Sequence, residues 1–163
     1  MEKMNILFLC TGNSARSQIA EAVTKCLADD RFVIRSAGTK PAPRVNPLVL
    51  DVLEKICPDQ AQGLYPKSIN EIMDLTYNFV FTVCDRANEE CPVFPGSPVT
   101  AHWGYPDPAE IEDEAEATTL IRNIALSIDQ RFRLFLQLPL EKLEKMDLQN
   151  KLRDIAKTEP NQD

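Results

Sequence analysis

The run Ile6-Leu7-Phe8-Leu9 leads without a break into Cys10-Thr11-Gly12-Asn13-Ser14-Ala15-Arg16-Ser17. The apolar run, read from Met4 to Leu9, is a buried strand. Ile19, Ala20, Val23 and Leu27 recur on one face of a helix over Ser17 to Ala28. A strand that feeds a helix through so short a loop must turn tightly, and Gly12 and Asn13 are residue types that tolerate positive φ. This junction commits the chain to a β-loop-α opening. It also creates a point where backbone N–H groups and the positive end of a helix dipole face one anion.

The side chains at that point suit a tetrahedral oxyanion. Arg16 offers a planar, permanently charged fork for two oxygens, which a lysine would not reproduce. The same field acts on sulfur: a helix N-terminus and a nearby cation pull a cysteine below its ordinary range, so Cys10 is expected as a thiolate. Ser17 is placed to donate a hydrogen bond to it. The loop from Thr11 through Gly12, Asn13, Ser14 and Ala15 to Arg16 is the expected oxyanion cradle, and Cys10 its nucleophile.

The rest of the chain alternates strand and helix patterns. Phe32 to Ala37 reads as a second strand ending at Gly38, after which Pro41 to Pro47 is a proline-rich loop. Leu48, Leu50, Leu53 and Ile56 predict a helix starting near Asn46, with Pro47 suited to its first turn. Ile69 to Leu75 reads as a short helix. Phe79 to Val83 is a third strand, rich in β-branched and aromatic residues, and Val99 to His102 a fourth. From about Asp113 to Gln137 the apolar residues Leu120, Ile121, Ile124, Ile128, Phe132 and Phe135 follow helical spacing. The expected fold is a single α/β domain, residues 1–139, with a doubly wound four-stranded parallel sheet flanked by helices. Ligands then sit at the carboxyl ends of strands, where Cys10 lies. Residues 140–163 form a polar extension, partly helical or disordered, with a loose face of Leu143, Met146 and Leu152 and a disordered end from Thr158 to Asp163.

Composition narrows the function classes. The net charge of −7 argues against nucleic-acid partners and anionic membranes, which need a basic footprint. No apolar stretch is long enough to span a bilayer, and no basic segment precedes an export-type apolar run. Five cysteines, an odd number, read as reduced thiols rather than a disulfide framework. A cytoplasmic monomer without an organic cofactor is the expectation. His102, the sole histidine, forms no standard zinc pattern with Cys84 and Cys91. Cys26 and Cys57 read as passive thiols.

The run Leu7 to Gln18, the strand end Ser36-Ala37-Gly38-Thr39 and the pair Asp107-Pro108 resemble the low-molecular-weight protein tyrosine phosphatase superfamily. Within it, Thr82-Val83-Cys84-Asp85-Arg86-Ala87-Asn88-Glu89-Glu90-Cys91-Pro92 and His102-Trp103-Gly104-Tyr105-Pro106-Asp107-Pro108-Ala109 make the chain similar to thioredoxin-coupled arsenate reductases. The resemblance covers roughly residues 4 to 137. It implies arsenate as substrate, a Cys10 thiol-arsenic adduct, then a relay of disulfides from Cys10 through Cys84 to Cys91, opened by thioredoxin or glutaredoxin. Asp107 matches the family's acid, which delivers a proton to the leaving oxygen. If Asp85 to Cys91 begins as a short helix, the two cysteines stand two turns and ~10 Å apart, too far for a disulfide. The segment must then unwind.

Two departures stand beside the matches. Many thioredoxin-coupled relatives carry a second cysteine in the anion loop, where this chain has Ala15. A potassium site of some relatives would draw on Asn13, Glu21 and Ser36, all present, while Asn70 stands near an expected aspartate. The alternative readings are a phosphatase acting on phosphotyrosine or small phosphate esters, and a noncatalytic redox-sensing anion-binding module. Against the phosphatase, Ala109 and Glu110 stand where aromatic residues usually follow the aspartate.

Overall fold

In a computed structural model that describes residues 3–158, the strand β1 (Met4–Cys10) is followed by α1 (Arg16–Leu27), β2 (Phe32–Gly38), α2 (Pro47–Ile56) and the short α3 (Pro58–Ala61). After a 3-10 turn at Ile69–Ile72 come β3 (Phe79–Thr82), α4 (Asp85–Glu89), β4 (Val99–His102), a second 3-10 turn at Pro108–Glu110, α5 (Glu114–Leu136) and α6 (Lys145–Ile155). All four strands are parallel, in the order β2-β1-β3-β4. The expected α/β class and sheet are therefore present. The order puts the sheet's reversal of winding between β1 and β3, so loops leaving their carboxyl ends diverge and open a crevice there.

Helix boundaries follow local chemistry. Asn46 caps α2 by accepting a hydrogen bond from the Leu48 N–H, and Pro47 takes the first helical position, as its spacing predicts. Asp113 caps α5 in the same way, accepting from the N–H groups of Ala115 and Glu116. The core lies on both faces of the sheet: Ile6, Leu7, Phe8, Leu9 and Phe81 are fully buried, and Phe81 packs against the Trp103 ring with centroids 4.4 Å apart. A strand covered on both faces needs the near-continuous apolar run found in β1.

The extension differs from expectation in one respect. Residues 145–155 form a regular helix that buries Leu148, Leu152 and Ile155. The Trp103 indole donates to the Leu152 carbonyl at 3.3 Å. Met146, expected on the inner face, is 76% exposed, and Ile155 takes that role. Of the expected disordered end, residues 159–163 lie outside the described residues. No helix among the described residues is long and apolar enough to cross a membrane.

Candidate active site

The loop from Thr11 to Ala15 is held from outside by its carbonyl groups. Those of Cys10, Thr11, Gly12 and Ser14 accept hydrogen bonds from the N–H groups of Thr39, Lys40, Ala42 and Asn46 at 2.8–3.2 Å. Among the described residues, no backbone N–H from Gly12 to Gln18 donates to a protein acceptor. A row of free N–H groups at the start of α1, with no side-chain cap and no acidic residue in its first turn, is an anion cradle.

The turn is made at Asn13, whose φ is +50°; Gly12 does not use the left-handed region, contrary to the expectation that both residues share the turn. Asn13 is fully buried. Its amide donates to Ser17 Oγ at 2.7 Å and Ser36 Oγ at 2.9 Å, and its Oδ1 accepts from the Lys67 N–H at 2.8 Å. These bonds offset the cost of left-handed backbone at a non-glycine residue. Ser17 thus accepts from Asn13, and its expected hydrogen bond to Cys10 is not formed.

Arg16 lies over the loop. One terminal nitrogen donates to the Tyr105 carbonyl at 3.0 Å and the other stands 3.5 Å from Asp107 Oδ2. Its Nε is buried and without a partner, a donor that a bound oxyanion would satisfy. Asp107 also accepts from the Ala109 N–H at 3.0 Å, which aims the carboxylate back toward Arg16. The structure therefore brings Cys10, Arg16 and Asp107 to one crevice.

Cys84 is there too. It ends the segment after β3, beside β1 in the sheet, close enough to Cys10 that the two thiols shift each other's ionisation. Both are free thiols and buried. The Cys10 thiol is pushed up, first by the neighbouring Cys84 and then by burial, with Arg16 opposing. Cys84 is drawn down by the neighbouring Cys10, with burial opposing and with help from the Thr11 hydroxyl and the Ala87 N–H, each at 3.4 Å. Two like charges this close do not both form; the Ala87 N–H acts on Cys84 at the start of α4, and the Thr11 N–H acts likewise on Cys10. The pair therefore holds one negative charge between its two sulfurs, with Arg16 favouring that charge on either of them.

Cys91 is half-buried at the far end of the same segment, its thiol donating to the Pro92 carbonyl at 3.6 Å and pushed up by burial. The helix between the two cysteines is pinned by residues that sequence reasoning passed over. His102 Nε2 lies 2.8 Å from Asp85 Oδ1, and its Nδ1 lies 2.8 Å from Thr82 Oγ1, which donates to Asn88 Oδ1 at 3.2 Å. Room for this contact requires Gly104, because a Cβ there would stand 2.7 Å from His102 Nε2.

Glu21 and Ser36 adjoin Asn13, as the potassium expectation requires, but their oxygens are already engaged. Ser36 donates to Glu21 Oε1 at 2.9 Å, and the buried Lys67 ammonium stands 3.4 Å from the same oxygen. Lys25 pairs with Oε2 at 3.3 Å. A protein cation thus stands at the carboxylate, and this donor set does not fit potassium. Burial pushes the Lys67 ammonium down while Glu21 holds it up. Among the described residues, no group of three or more histidine, cysteine or carboxylate side chains could hold a metal ion.

The parallel sheet and the anion cradle with its cysteine and arginine define a thiol-based oxyanion-binding protein of the α/β class. The family described as low molecular weight phosphotyrosine protein phosphatase matches residues 5–146, and the chain belongs to that family. It is 36% identical over 109 residues to arsenate reductase 1 of Staphylococcus epidermidis, covering 67% of this chain and 81% of the relative. It is 34% identical over 136 residues to an arsenate reductase of Halalkalibacterium halodurans, covering 83% and 96%. Among solved structures, a thioredoxin-dependent arsenate reductase of Corynebacterium glutamicum aligns with a TM-score of 0.62 at 27% identity, covering 86% of this chain. The chain spans 64% of the length of that structure.

Proposed function

We propose that this protein reduces arsenate to arsenite, using Cys10, Cys84 and Cys91 as a disulfide relay and thioredoxin as reductant. The observation that carries the reading is that the parallel pairing of β1 with β3 brings Cys84 beside the anion loop, its sulfur 3.4 Å from the Thr11 hydroxyl next to Cys10, an arrangement that hydrolysis of a phosphate ester does not need. The curated relatives named as arsenate reductases and the thioredoxin-dependent structure support it.

Arsenate enters the N–H cradle and takes the free Arg16 Nε. Cys10 gives up its proton to the neighbouring Cys84, and the Cys10 thiolate attacks arsenic. Asp107 gives a proton to the departing oxygen, which leaves as water. Cys84 gives its proton to an arsenic-bound oxygen and, as the thiolate, attacks the Cys10 sulfur. The sulfur-arsenic bond breaks, its electron pair stays on arsenic as arsenite, and a Cys10–Cys84 disulfide forms. The Cys91 thiolate then attacks Cys84, releasing Cys10 as a thiolate and leaving a Cys84–Cys91 disulfide for the external dithiol. In this reading residues 1–139 carry the chemistry, in a cytoplasmic monomer.

The test is arsenate-dependent NADPH oxidation with purified protein, thioredoxin and thioredoxin reductase, run in parallel with glutaredoxin. Turnover that requires all three cysteines supports the relay and identifies the reductant. Absence of turnover, with hydrolysis of para-nitrophenyl phosphate that survives loss of Cys84 and Cys91, would move the protein to the phosphatases.

The last transfer requires α4 to open, and the His102 contacts oppose it. His102→Ala is therefore expected to shift the Cys84–Cys91 dithiol-disulfide equilibrium toward the disulfide by about tenfold, a fall of ~30 mV in reduction potential. Gly104→Ala should act in the same direction, since its Cβ displaces the ring. Titration of both variants in a dithiothreitol redox buffer checks this, and unchanged potentials would show that the contacts do not restrain the helix.

A further inference from the structure

We infer that α6 forms the basic half of a docking face for the protein dithiol that reopens the Cys84–Cys91 disulfide, a partner with acidic residues beside its reactive cysteines. The inference rests on the relay proposed above. A cavity of about 780 Å³ lies between β3, β4, the segment after α4, and α6, and Cys91 lines it. The wall contributed by α6 and the turn after it consists of Lys145, Gln149, Arg153 and Lys157 with Ala156. Those four polar residues are spaced by four, so they share one helical face, and none is acidic.

Three cations on one face run against a chain of net charge −7. Among the described residues, Lys145 and Arg153 have no carboxylate partner, and Lys157 meets Asp154 only at 4.0 Å with both side chains exposed. Their backbone is nonetheless fixed, because the opposite face of α6 buries Leu148, Leu152 and Ile155. The family match ends at residue 146, so nearly all of this wall lies beyond it.

The other rim is apolar. Val93, two residues from Cys91, is 98% exposed, and Pro92 between them is exposed as well. An exposed aliphatic patch beside a thiol, faced by a basic wall, suits a macromolecule that covers the patch and brings its own carboxylates. A small anionic thiol would use the cations and leave Val93 in water.

On this face a partner thiolate attacks the Cys91 sulfur, the Cys84–Cys91 bond breaks, and Cys84 leaves as a thiolate. The partner's second thiolate attacks the partner sulfur of the mixed disulfide, releasing Cys91 as a thiolate. The partner departs oxidised by two electrons, and the protein is reduced by two.

The test uses the full chain oxidised with diamide, with no arsenate present. Reduction of its Cys84–Cys91 disulfide by thioredoxin is followed in parent protein and in the Lys145→Glu, Arg153→Glu, Lys157→Glu triple variant. The second-order rate constant should fall about tenfold or more at low ionic strength, and the difference should shrink as salt rises. Reduction by dithiothreitol should be unchanged, which controls for folding. Val93→Asp should lower the thioredoxin rate alone. An unchanged thioredoxin rate in the triple variant overturns the docking face and leaves the relay standing. An equal loss with glutathione overturns the protein partner in favour of a small anionic thiol. If diamide forms no Cys84–Cys91 disulfide, relay and docking face fall together.

Discussion

Cys84→Ser is expected to stop arsenate turnover, by roughly a thousandfold or more, while hydrolysis of para-nitrophenyl phosphate by the same protein continues. Serine keeps the size of the side chain and its capping position at α4 but cannot attack the Cys10 sulfur and release arsenic with the electron pair of the S–As bond. The variant should therefore stall with arsenate bound to Cys10, visible as a mass increment on the intact protein that dithiothreitol removes. The substitution also takes away the group that most strongly pushes the Cys10 thiol up. Cys10 then ionises at lower pH, and the acid limb of the hydrolysis profile should move downward. An acid limb that moves upward, or arsenate turnover that survives, would show that Cys84 is not the partner of Cys10.

Gly38→Ala is the second large effect, and it acts through the backbone. A Cβ at Gly38 would stand 2.5 Å from the Thr11 carbonyl oxygen and 3.1 Å from Asn13 N and Cβ. None of these atoms is the end of a flexible side chain, so the anion loop itself must shift. Overpacking of this kind costs about 2 to 3 kcal/mol of stability. Function should suffer more than stability, because the row of N–H groups and the placement of Cys10 beside Cys84 both hang from the displaced segment. We expect a loss of about a hundredfold or more in both arsenate reduction and ester hydrolysis, since misplacement by a fraction of the bond length to the reacting atom is that costly. Denaturant unfolding alongside kinetics checks the division. A variant with parent activity would show that the loop relaxes at no cost.

Much of this was legible because it is local. The unbroken apolar run before Cys10 and the helical spacing after Arg16 dictate strand, loop and helix without reference to the rest of the chain. Asn46-Pro47 marks the start of α2 for the same reason. What the sequence did not disclose is non-local. Nothing in four apolar strand patterns says that β3 rather than β4 lies beside β1, yet that neighbour relation puts Cys84 against Cys10. The pairing of Lys67 with Glu21 and of His102 with Asp85 joins residues distant along the chain, and neither pair leaves a periodic trace. Ser17 was misdirected by the same limit: its proximity to Cys10 in sequence was plain, but the buried Asn13 amide that engages it was not. In α6 a highly polar composition hides three buried residues, and only contact with Trp103 and β4 distinguishes them from Met146.

Trp103 itself, the sole tryptophan, has a consequence for how this protein reports on its own state. Its ring is fully buried against Phe81, its N–H is bound to α6, and the residue before it is the histidine that pins α4. Peeling α6 from the sheet would expose the indole to water and move its emission to longer wavelength. Opening α4 alone leaves the bond to Leu152 intact and changes only what lies beside the preceding residue. The molecule carries an internal fluorophore whose colour tracks the extension and whose intensity tracks the cysteine segment, so the two motions are optically separable without a label.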